Sequence, residues 1–260
     1  MLDEKKKLSE MEKIAHICGE AMIRRHTDDL IVNEKSSNRD LVTQVDLQNQ
    51  NRIVQYLSEQ FPEVGFYSEE TAGDILPDNE YVFVIDPIDG TTNFTKEMHF
   101  SCVSIACFKN RKPFIGVVYD PYHDEMFKAV LNGGAFLNGV PIHVSDKPLE
   151  KSLVAFGTAP YFPEVFDNTM LKLKQIFAKC SDVRRMGAAA LDLCYLAAGR
   201  FSLFFEERIS LWDFAAGALI VAEAGGEVCQ LNGKPLTFGA EKTSIIAGKS
   251  DIIRESGLLD

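Results

Sequence analysis

The segment VFVIDPIDGTTNF at residues 82–94 constrains the fold of this chain more than any other segment. It begins with a run of apolar residues, which predicts a buried strand that ends at Asp86. Pro87 then forces a turn, Asp89 follows, and Gly90 permits tight backbone geometry before two hydroxyl residues. Two carboxylates at this spacing can converge on one point, where a hard divalent cation would offset their repulsion. If the residues after Gly90 open a helix, their backbone N–H groups would bind an anion.

Two further acidic segments stand at the ends of apolar stretches. Glu69 and Glu70 follow the strand-like residues GFY, and Asp213 lies at the start of an almost wholly apolar helix pattern. Each segment taken alone also has an ordinary interpretation, because Asp is common in turns and helix caps and Glu is common on surfaces. Three acidic clusters, each at the end of a buried element, are harder to explain in this way. Together they favour a site built from several carboxylates.

Composition and charge exclude several classes of function. The chain has 260 residues, of which 46% are hydrophobic and 25% are charged, as in an ordinary globular protein. Its formal net charge is −11, so we expect no generic binding to nucleic acid or to an anionic membrane. The same charge would repel a phosphorylated substrate unless bound cations reversed the local field.

The N-terminal residues and the cysteines predict a cytoplasmic protein. The first residues form an amphipathic helix pattern instead of the continuous apolar stretch of a signal peptide, and no run is long enough to span a bilayer. The six cysteines show no C-x-x-C spacing, and most of them lie in apolar segments. Reduced, buried thiols are therefore expected rather than disulfides or a zinc site.

The order of the predicted elements indicates an α+β half followed by an α/β half. Two helix patterns are followed by a meander of strands up to about residue 150, and then helices and strands alternate without a Gly/Ser-rich linker. We predict one region at residues 1–150, which carries most of the acidic site, and a second at residues 151–260, which carries Asp213. The predicted strands are residues 65–67, 81–85, 100–108, 113–119, 125–130, 135–137, 153–157, 201–205, 227–231 and 244–247. The predicted helices of the second region are residues 166–177, 188–198 and 212–224.

Three motifs resemble those of the inositol monophosphatase superfamily. Residues 86–94 match D-P-[IL]-D-G-T, residues 212–226 match W-D-x-A-[AG]-G…E-A-G-G, and residues 40–46 match D-L-V-T-x-x-D. The resemblance covers nearly the whole chain. It implies a layered α-β-α-β-α sandwich of the inositol monophosphatase / fructose-1,6-bisphosphatase type. It also implies a Mg²⁺-dependent phosphatase that acts on a small phosphate monoester, forms a homodimer and is sensitive to Li⁺.

The resemblance further assigns roles to individual residues. One Mg²⁺ is expected on Glu69, Asp86 and the carbonyl of Ile88. A second is expected on Asp86, Asp89 and Asp213, and a third, weaker ion near Glu69. Thr91 and Asp46 are expected to orient the attacking water, which makes them catalytic together with Glu69. The residues expected to contact the substrate are Lys35, Asp89, Gly90, Thr91, Gly187, Ala189, Glu206 and Asp213.

Several residues leave the identity of the substrate open. The GAA at residues 187–189 lacks the hydroxyl group of the Gly-Thr-Ala in the animal enzymes, whereas Ser68, where family members often have Gly, should have little effect. Arg184, Arg185 and Arg208 lie near the expected site and could favour a substrate with a second phosphate, although surface or dimer-interface salt bridges explain them equally well. Myo-inositol monophosphate is the first candidate. Fructose 1,6-bisphosphate, NADP and nucleotide 3′-phosphates are the alternatives.

Other classes of protein fit the sequence less well. Phosphatases of the haloacid-dehalogenase type have D-x-D-G-T after a strand, and the spacing here is one residue longer. The GKS at residues 248–250 is not a P-loop, because Thr243 occupies the position of the first glycine. A regulatory protein that keeps the fold without catalysis is the alternative from a different class, and Mg²⁺-dependent phosphate release would exclude it.

Overall fold

The computed structural model describes residues 2–24, 32–34, 41–73 and 75–259. The α-helices in these ranges are α1 (Leu2–Ile23), α2 (Gln44–Gln60), α3 (Thr91–Thr95), α4 (Phe166–Phe177), α5 (Ala189–Ala197), α6 (Leu211–Glu223) and α7 (Ser250–Ser256). The strands are β1 (Val32–Glu34), β2 (Leu41–Thr43), β3 (Gly65–Ser68), β4 (Tyr81–Asp89), β5 (Cys102–Lys109), β6 (Lys112–Asp120), β7 (Glu125–Val130), β8 (Ala135–Leu137), β9 (Val140–Pro141), β10 (Leu153–Phe156), β11 (Asp182–Arg184), β12 (Leu203–Ile209), β13 (Glu227–Cys229) and β14 (Thr243–Gly248). Among the described helices, none is both long enough and apolar enough to cross a membrane.

The larger sheet has seven strands in the order β3-β4-β5-β6-β7-β8-β9. β3 and β4 are parallel, and every later neighbouring pair is antiparallel. Side chains alternate along β4, so that Phe83 and Ile85 belong to one core cluster and Val82 and Val84 to another. The first cluster joins this sheet to α1 and α2, and the second joins it to α5 and α6.

The smaller sheet has five strands in the order β11-β10-β12-β14-β13. β10 is parallel to β11 and β12, whereas β14 is antiparallel to both of its neighbours. One face packs against α4 and α7 through residues such as Leu203, Ile246 and Ile176. The opposite face contributes Phe204 and Ala247 to the cluster that also contains α5 and α6.

The layers therefore follow the order α-β-α-β-α, which confirms the predicted fold. The layers are α1 and α2, the seven-stranded sheet, α5 and α6, the five-stranded sheet, and α4 and α7. The larger sheet uses residues 65–141 and the smaller one residues 153–248. Both sheets share the middle core, and a domain boundary at residue 150 stays a prediction.

Several predicted elements have the observed bounds, and others differ for identifiable reasons. The strands at 125–130 and 135–137 and the helix at 166–177 are observed as predicted. The predicted end of the strand at Asp86 is wrong, because β4 continues to Asp89, which pairs with Cys102 of β5 after a register shift. The strand predicted at residues 201–205 extends instead to Ile209, because pairing with β14 overrides the polar EER sequence.

Candidate active site

One cavity, with a volume of about 850 Å³, collects most of the predicted site residues. The predicted residues that line it are Glu69, Asp86, Ile88, Asp89, Gly90, Thr91, Gly187, Ala189, Glu206 and Asp213. Asp46 does not line the cavity but is hydrogen-bonded to Thr91. Lys35 lies outside the described residues. The structure thus brings together residues that are far apart in the sequence.

The register shift at the end of β4 places two carboxylates on the same cavity. In a regular strand, residues three positions apart point to opposite faces of the sheet. The shift between Asp86 and Asp89 removes this alternation, and both residues line the cavity. Asp86 is 2% exposed, and the backbone N–H of Ile88 donates a hydrogen bond of 3.0 Å to its Oδ1.

Asp89 connects β4 to the start of α5. Its Oδ2 accepts a hydrogen bond of 2.7 Å from the backbone N–H of Ala190. The pKa of Asp89 is raised to about 7, mainly by burial and also by repulsion from Glu69, while the N–H groups at the start of α5 oppose the shift. A carboxylate at this position is thus held by a helix N-terminus while it faces other negative charges.

Glu69 and Asp213 approach the same cavity from two other elements. Glu69 begins the short 3₁₀ turn Glu69–Thr71 directly after β3, which runs parallel to β4. Asp213 is the third residue of α6, and its Oδ2 accepts a hydrogen bond of 3.0 Å from the backbone N–H of Ser210. Asp213 therefore caps the helix and also lines the cavity, and its role as a metal ligand stays a prediction.

These carboxylates make one another harder to ionise. Burial raises the pKa of Asp86 well above its ordinary value, and repulsion from Glu69 and Asp89 adds to the shift. Burial also raises the pKa of Asp213, again with contributions from Asp89 and Glu69. A bound cation would reverse this effect by favouring the charged forms.

Buried Asp46 and partly buried Thr91 form a hydrogen-bonded pair. Thr91 Oγ1 lies 3.1 Å from Asp46 Oδ1 and 3.0 Å from the carbonyl oxygen of Ile88. Asp46 Oδ2 accepts hydrogen bonds from the backbone N–H and the hydroxyl of Thr43, which caps α2. Burial raises the pKa of Asp46 to about 6. The orientation of the Thr91 hydroxyl is consequently fixed by α2 and by the end of β4.

The backbone around Gly90 is closely packed against the opposite wall of the cavity. Gly90 has φ of +86° and precedes α3, a conformation that L side chains rarely adopt. A Cβ at this position would lie 3.0 Å from Ala188 Cβ and 3.1 Å from the Phe100 carbonyl oxygen. Asn93 links the segments before β5 and after β11, because its Nδ2 donates hydrogen bonds of 2.8 Å to the carbonyls of Phe100 and Met186. Asn93 was not among the residues selected from the sequence, although it lies within the motif at residues 86–94.

Glu206 lies on β12 and is 8% exposed. Its Oε1 accepts a hydrogen bond of 2.9 Å from the backbone N–H of Ala159. The pKa of Glu206 is raised to about 7, mainly by burial, while the Ala159 N–H and Arg185 oppose the shift. A Cβ on Gly157 would lie 2.0 Å from Glu206 Cδ, so the carboxylate occupies space that only a glycine at residue 157 leaves open.

Cationic and aromatic side chains also line this cavity. The side-chain cations of Lys242 and Arg208 lie 4.3 Å and 4.4 Å from the ring centroid of Phe162. These three residues and Arg185 line the cavity. Arg184 is not part of the cavity lining, and its guanidinium bonds Asp182, which agrees with the surface salt bridge considered for it rather than with a second phosphate site.

The donor set of the cavity fits Mg²⁺, although the side chains are not arranged as a finished site. No three Asp, Glu, His or Cys side chains of the described residues are close enough to hold one ion as they stand. The carboxylates and the Ile88 carbonyl are oxygen donors, the type that Mg²⁺ prefers. Ion binding would bring these side chains closer together and would offset their mutual repulsion.

Residues 4–257 match the Inositol monophosphatase family. The chain belongs to this family. Membership confirms the resemblance seen in the three motifs and supports phosphatase activity on a small phosphorylated substrate. It leaves the substrate itself undefined.

Individual relatives carry two kinds of name. The chain is 40% identical over 252 residues to Nus factor SuhB of Pasteurella multocida (strain Pm70), covering 94% of this chain and 90% of the relative. It is also 40% identical over 212 residues to inositol monophosphatase 2 of Solanum lycopersicum, covering 79% and 80%.

Solved structures support the same relationship. The crystal structure of extragenic suppressor protein suhB from Bartonella henselae superposes with a TM-score of 0.91 at 36% identity, covering 98% of each chain. A crystal structure of an IMPase/NADP phosphatase complexed with Mg²⁺ and phosphate has a TM-score of 0.83 at 26% identity, covering 99% of this chain and 94% of the other.

Proposed function

We propose that this protein is a Mg²⁺-dependent phosphatase that hydrolyses a small phosphate monoester, with myo-inositol monophosphate as the first candidate. The observation that carries the proposal is the convergence of Glu69, Asp86, Asp89 and Asp213 on one cavity. In a protein with a net charge of −11, these acids alone would repel a phosphate. Cations bound among them would convert the same cavity into an anion site.

The ligands of two or three Mg²⁺ ions would come from residues of β4 and its neighbours. These ligands are Glu69, Asp86, the Ile88 carbonyl, Asp89 and Asp213. When bound, Mg²⁺ supplies positive charge to the phosphate and lowers the pKa of water. The Mg²⁺ and phosphate in the related IMPase/NADP phosphatase structure support Mg²⁺ as the metal.

Thr91 and Asp46 would orient the attacking water. The Thr91 hydroxyl has one proton and two acceptors, Asp46 Oδ1 and the Ile88 carbonyl. If a cation binds the Ile88 carbonyl oxygen, the Thr91 hydroxyl would donate its hydrogen bond to Asp46 Oδ1. A lone pair of Thr91 Oγ1 would then be left to accept a hydrogen bond from water. This arrangement holds the water in one orientation and needs no covalent phosphoenzyme.

The remaining walls would hold the substrate. The backbone amides of Gly90 and Thr91, where the chain enters α3, would bind phosphate oxygens. Glu206, Asp213 and Asp89 would contact hydroxyl groups of the alcohol, close to the backbone of residues 187–189. Lys35 would add a positive charge from a segment outside the described residues.

The test is phosphate release by the purified protein from myo-inositol 1-phosphate, with Mg²⁺ or with EDTA. We expect activity only with Mg²⁺, and a loss of at least about a hundredfold in Asp89→Asn, because it removes a charged ligand. Asp182→Asn is the matched control, since Asp182 pairs with Arg184 outside the cavity lining and should keep its activity. Full activity of Asp89→Asn, or activity that survives EDTA, would overturn the proposal.

A substrate with a second anionic group is the second candidate. Lys242 and Arg208 flank Phe162 in the cavity lining and would offer positive charge to a distal phosphate, although Arg208 also pairs with Glu164 at 3.0 Å. The cavity, at about 850 Å³, also exceeds what a single sugar ring requires. Phosphate release from fructose 1,6-bisphosphate, NADP and a nucleotide 3′-phosphate, compared with inositol monophosphate, distinguishes the two candidates.

Other properties belong to the same proposal. We expect a homodimer, inhibition by Li⁺ and a cytoplasmic location, as the family resemblance implies.

A non-catalytic regulatory role is the competing hypothesis, and the relative named Nus factor SuhB carries a name that states no hydrolytic activity. Retention of all four acidic side chains in one cavity favours catalysis, because a regulatory surface does not require them.

A further inference from the structure

Gln50 is a buried polar side chain that takes no part in the proposed chemistry. It lies on α2 and is 4% exposed. Its Oε1 accepts a hydrogen bond of 3.1 Å from the backbone N–H of Glu70, which lies 20 positions further along the chain. Glu70 directly follows the expected metal ligand Glu69, so this bond joins α2 to the turn that carries a ligand.

The turn Glu69–Thr71 receives its cap from α2. A helix usually begins with a residue whose side chain accepts a hydrogen bond from the second or third N–H of the helix. Ser68 stands at this position but makes no such bond within the described residues 41–73, and its hydroxyl lies 2.9 Å from Thr71 Oγ1 instead. Glu70 is the second residue of the turn, so Gln50 supplies the acceptor that a capping residue would otherwise provide.

α2 bonds two separate segments that line the proposed metal site. Residues four positions apart lie on the same face of a helix, about 6 Å from each other along its axis, and Asp46 and Gln50 have this spacing. Asp46 is hydrogen-bonded to Thr91 at the start of α3, and Gln50 to the turn after β3. Asn49 is also buried but bonds α1, because its Nδ2 donates to the Cys18 carbonyl at 3.3 Å. Asp46 and Gln50 therefore fix the turn after β3 relative to Thr91.

We propose that Gln50 is a positioning residue for Mg²⁺ binding. By accepting the Glu70 N–H, it holds the turn in which Glu69 can share an ion with Asp86 and the Ile88 carbonyl. This inference rests on the proposed function, in which Glu69 is a ligand. Without the acceptor, the turn gains conformational freedom that Mg²⁺ binding would have to remove, and affinity for the ion falls.

The experiment compares the Mg²⁺ dissociation constants of the wild type and Gln50→Met by isothermal titration calorimetry. Methionine has a side chain of similar length but only a weak acceptor. We expect the constant to rise about 3- to 30-fold, less than the roughly 10- to 100-fold typical of groups that bond the ligands themselves, because Gln50 bonds the backbone beside Glu69. The Mg²⁺ concentration for half-maximal phosphate release should rise by the same factor.

Hydrogen exchange tests the bond itself. In the metal-free protein, the backbone amide of Glu70 should exchange faster in Gln50→Met than in the wild type, because its N–H has lost the acceptor. If Gln50→Met is not recovered folded, Gln50→Asn is judged by the same measurements, because its amide is one methylene group shorter and falls short of the Glu70 N–H.

Asn49→Ala provides the matched control on the same helix. Asn49 is fully buried, and its side chain bonds the Cys18 carbonyl and Arg52, neither of which belongs to the cavity lining. This variant should lower Tm, because it removes the contact between α1 and α2, and it should leave the Mg²⁺ dissociation constant unchanged.

The outcomes separate the two proposals. If the wild-type protein releases no phosphate in the presence of Mg²⁺, the phosphatase proposal fails and the inference fails with it. If the wild type is active and the Gln50 variant keeps the wild-type Mg²⁺ dissociation constant, with or without a lower Tm, the inference alone is overturned. An equal rise of the constant in Asn49→Ala, or unchanged exchange of the Glu70 amide, would also overturn it.

Discussion

The hydroxyl of Thr91 is the smallest unit on which the proposed chemistry depends. Thr91→Ala removes the group that links Asp46 to the Ile88 carbonyl, at distances of 3.1 and 3.0 Å. We expect kcat on inositol monophosphate to fall about a hundredfold or more with little change in KM, because the hydroxyl would act on water in the transition state. Steady-state kinetics at saturating Mg²⁺ measures both constants.

Two variants control this prediction at the same site. Thr95→Ala removes a hydroxyl that also lies in α3 and in the cavity lining but donates to the Thr92 carbonyl, 2.9 Å away. It should retain most of the activity, as should Thr91→Ser, which keeps the hydroxyl. Equal losses in Thr91→Ala and Thr95→Ala would show that disturbance of α3, not the position of the hydroxyl, limits the rate.

Residues that a motif identified lie in one cavity, whereas a cavity residue that only its contacts single out was not selected from the sequence. The acids at positions 69, 86, 89 and 213 stand next to strands or helices whose patterns are clear, so their convergence could be expected. Asp192 carries the same local signal as Asp213, an acid in the first turn of an apolar helix, and was still missed. What distinguishes the two is their hydrogen bonding, which depends on the fold.

At the level of elements, the start of α2 couples stability to the site. Thr43 accepts hydrogen bonds from the backbone N–H groups of Val45 and Asp46, at 3.1 and 3.3 Å, while Asp46 bonds back to Thr43. Thr43→Ala should cost about 1–2 kcal/mol of unfolding free energy, because it removes this cap. The expected fall in Tm, roughly 2–4 °C for each kcal/mol, can be measured by differential scanning calorimetry.

The same substitution should also affect Asp46. Its bonds to Thr43 lower its pKa and so oppose the effect of burial. Thr43→Ala should therefore reduce kcat as well as Tm, whereas Thr43→Ser should preserve both. A Thr43→Ala protein with the Tm of the wild type would contradict the assigned cap.

Elements with strong periodicity were predicted to within one or two residues, and the exceptions are informative. α4 and β7 have the predicted bounds, because amphipathic and alternating patterns fix them locally. The end of β4 was placed three residues early, because Pro87 is normally a strand breaker. Pairing of Asp89 with Cys102, thirteen positions away, keeps the chain in the sheet, and this contact is not a local property of the sequence.

At the scale of the whole molecule, the site depends on two sheets that share one core. β4 and α3 supply one part of the cavity lining, and β12 and α6 supply another. The middle layer of α5 and α6 packs between the sheets, which brings Asp89 within reach of Ala190, 101 positions away. The three sequence motifs predicted that these segments form one site, but the distances between their side chains depend on how the layers pack.

The buried carboxylates predict an unusual dependence of stability on pH. Burial raises the pKa of Asp46 to about 6 and that of Glu206 to about 7, and it raises the pKa values of Asp86 and Asp213 as well. The folded protein therefore binds more protons than the unfolded chain above about pH 4, so its stability falls as pH rises through the folded pKa values. Without metal, Tm should be lower at pH 8 than at pH 6.

Mg²⁺ should reverse this trend if it binds these carboxylates. Its ligands must be ionised, so it binds more tightly at high pH and stabilises the folded state by mass action. The rise in Tm caused by Mg²⁺ over EDTA should accordingly be larger at pH 8 than at pH 6.

In metal-free protein, Glu206→Gln should reduce the difference in Tm between pH 6 and pH 8, because it removes one titrating group while leaving the surface charges unchanged. If the metal-free protein is more stable at pH 8 than at pH 6, ionisation of these carboxylates does not oppose folding. If the rise in Tm caused by Mg²⁺ is larger at pH 6, these carboxylates are not the groups that bind the metal.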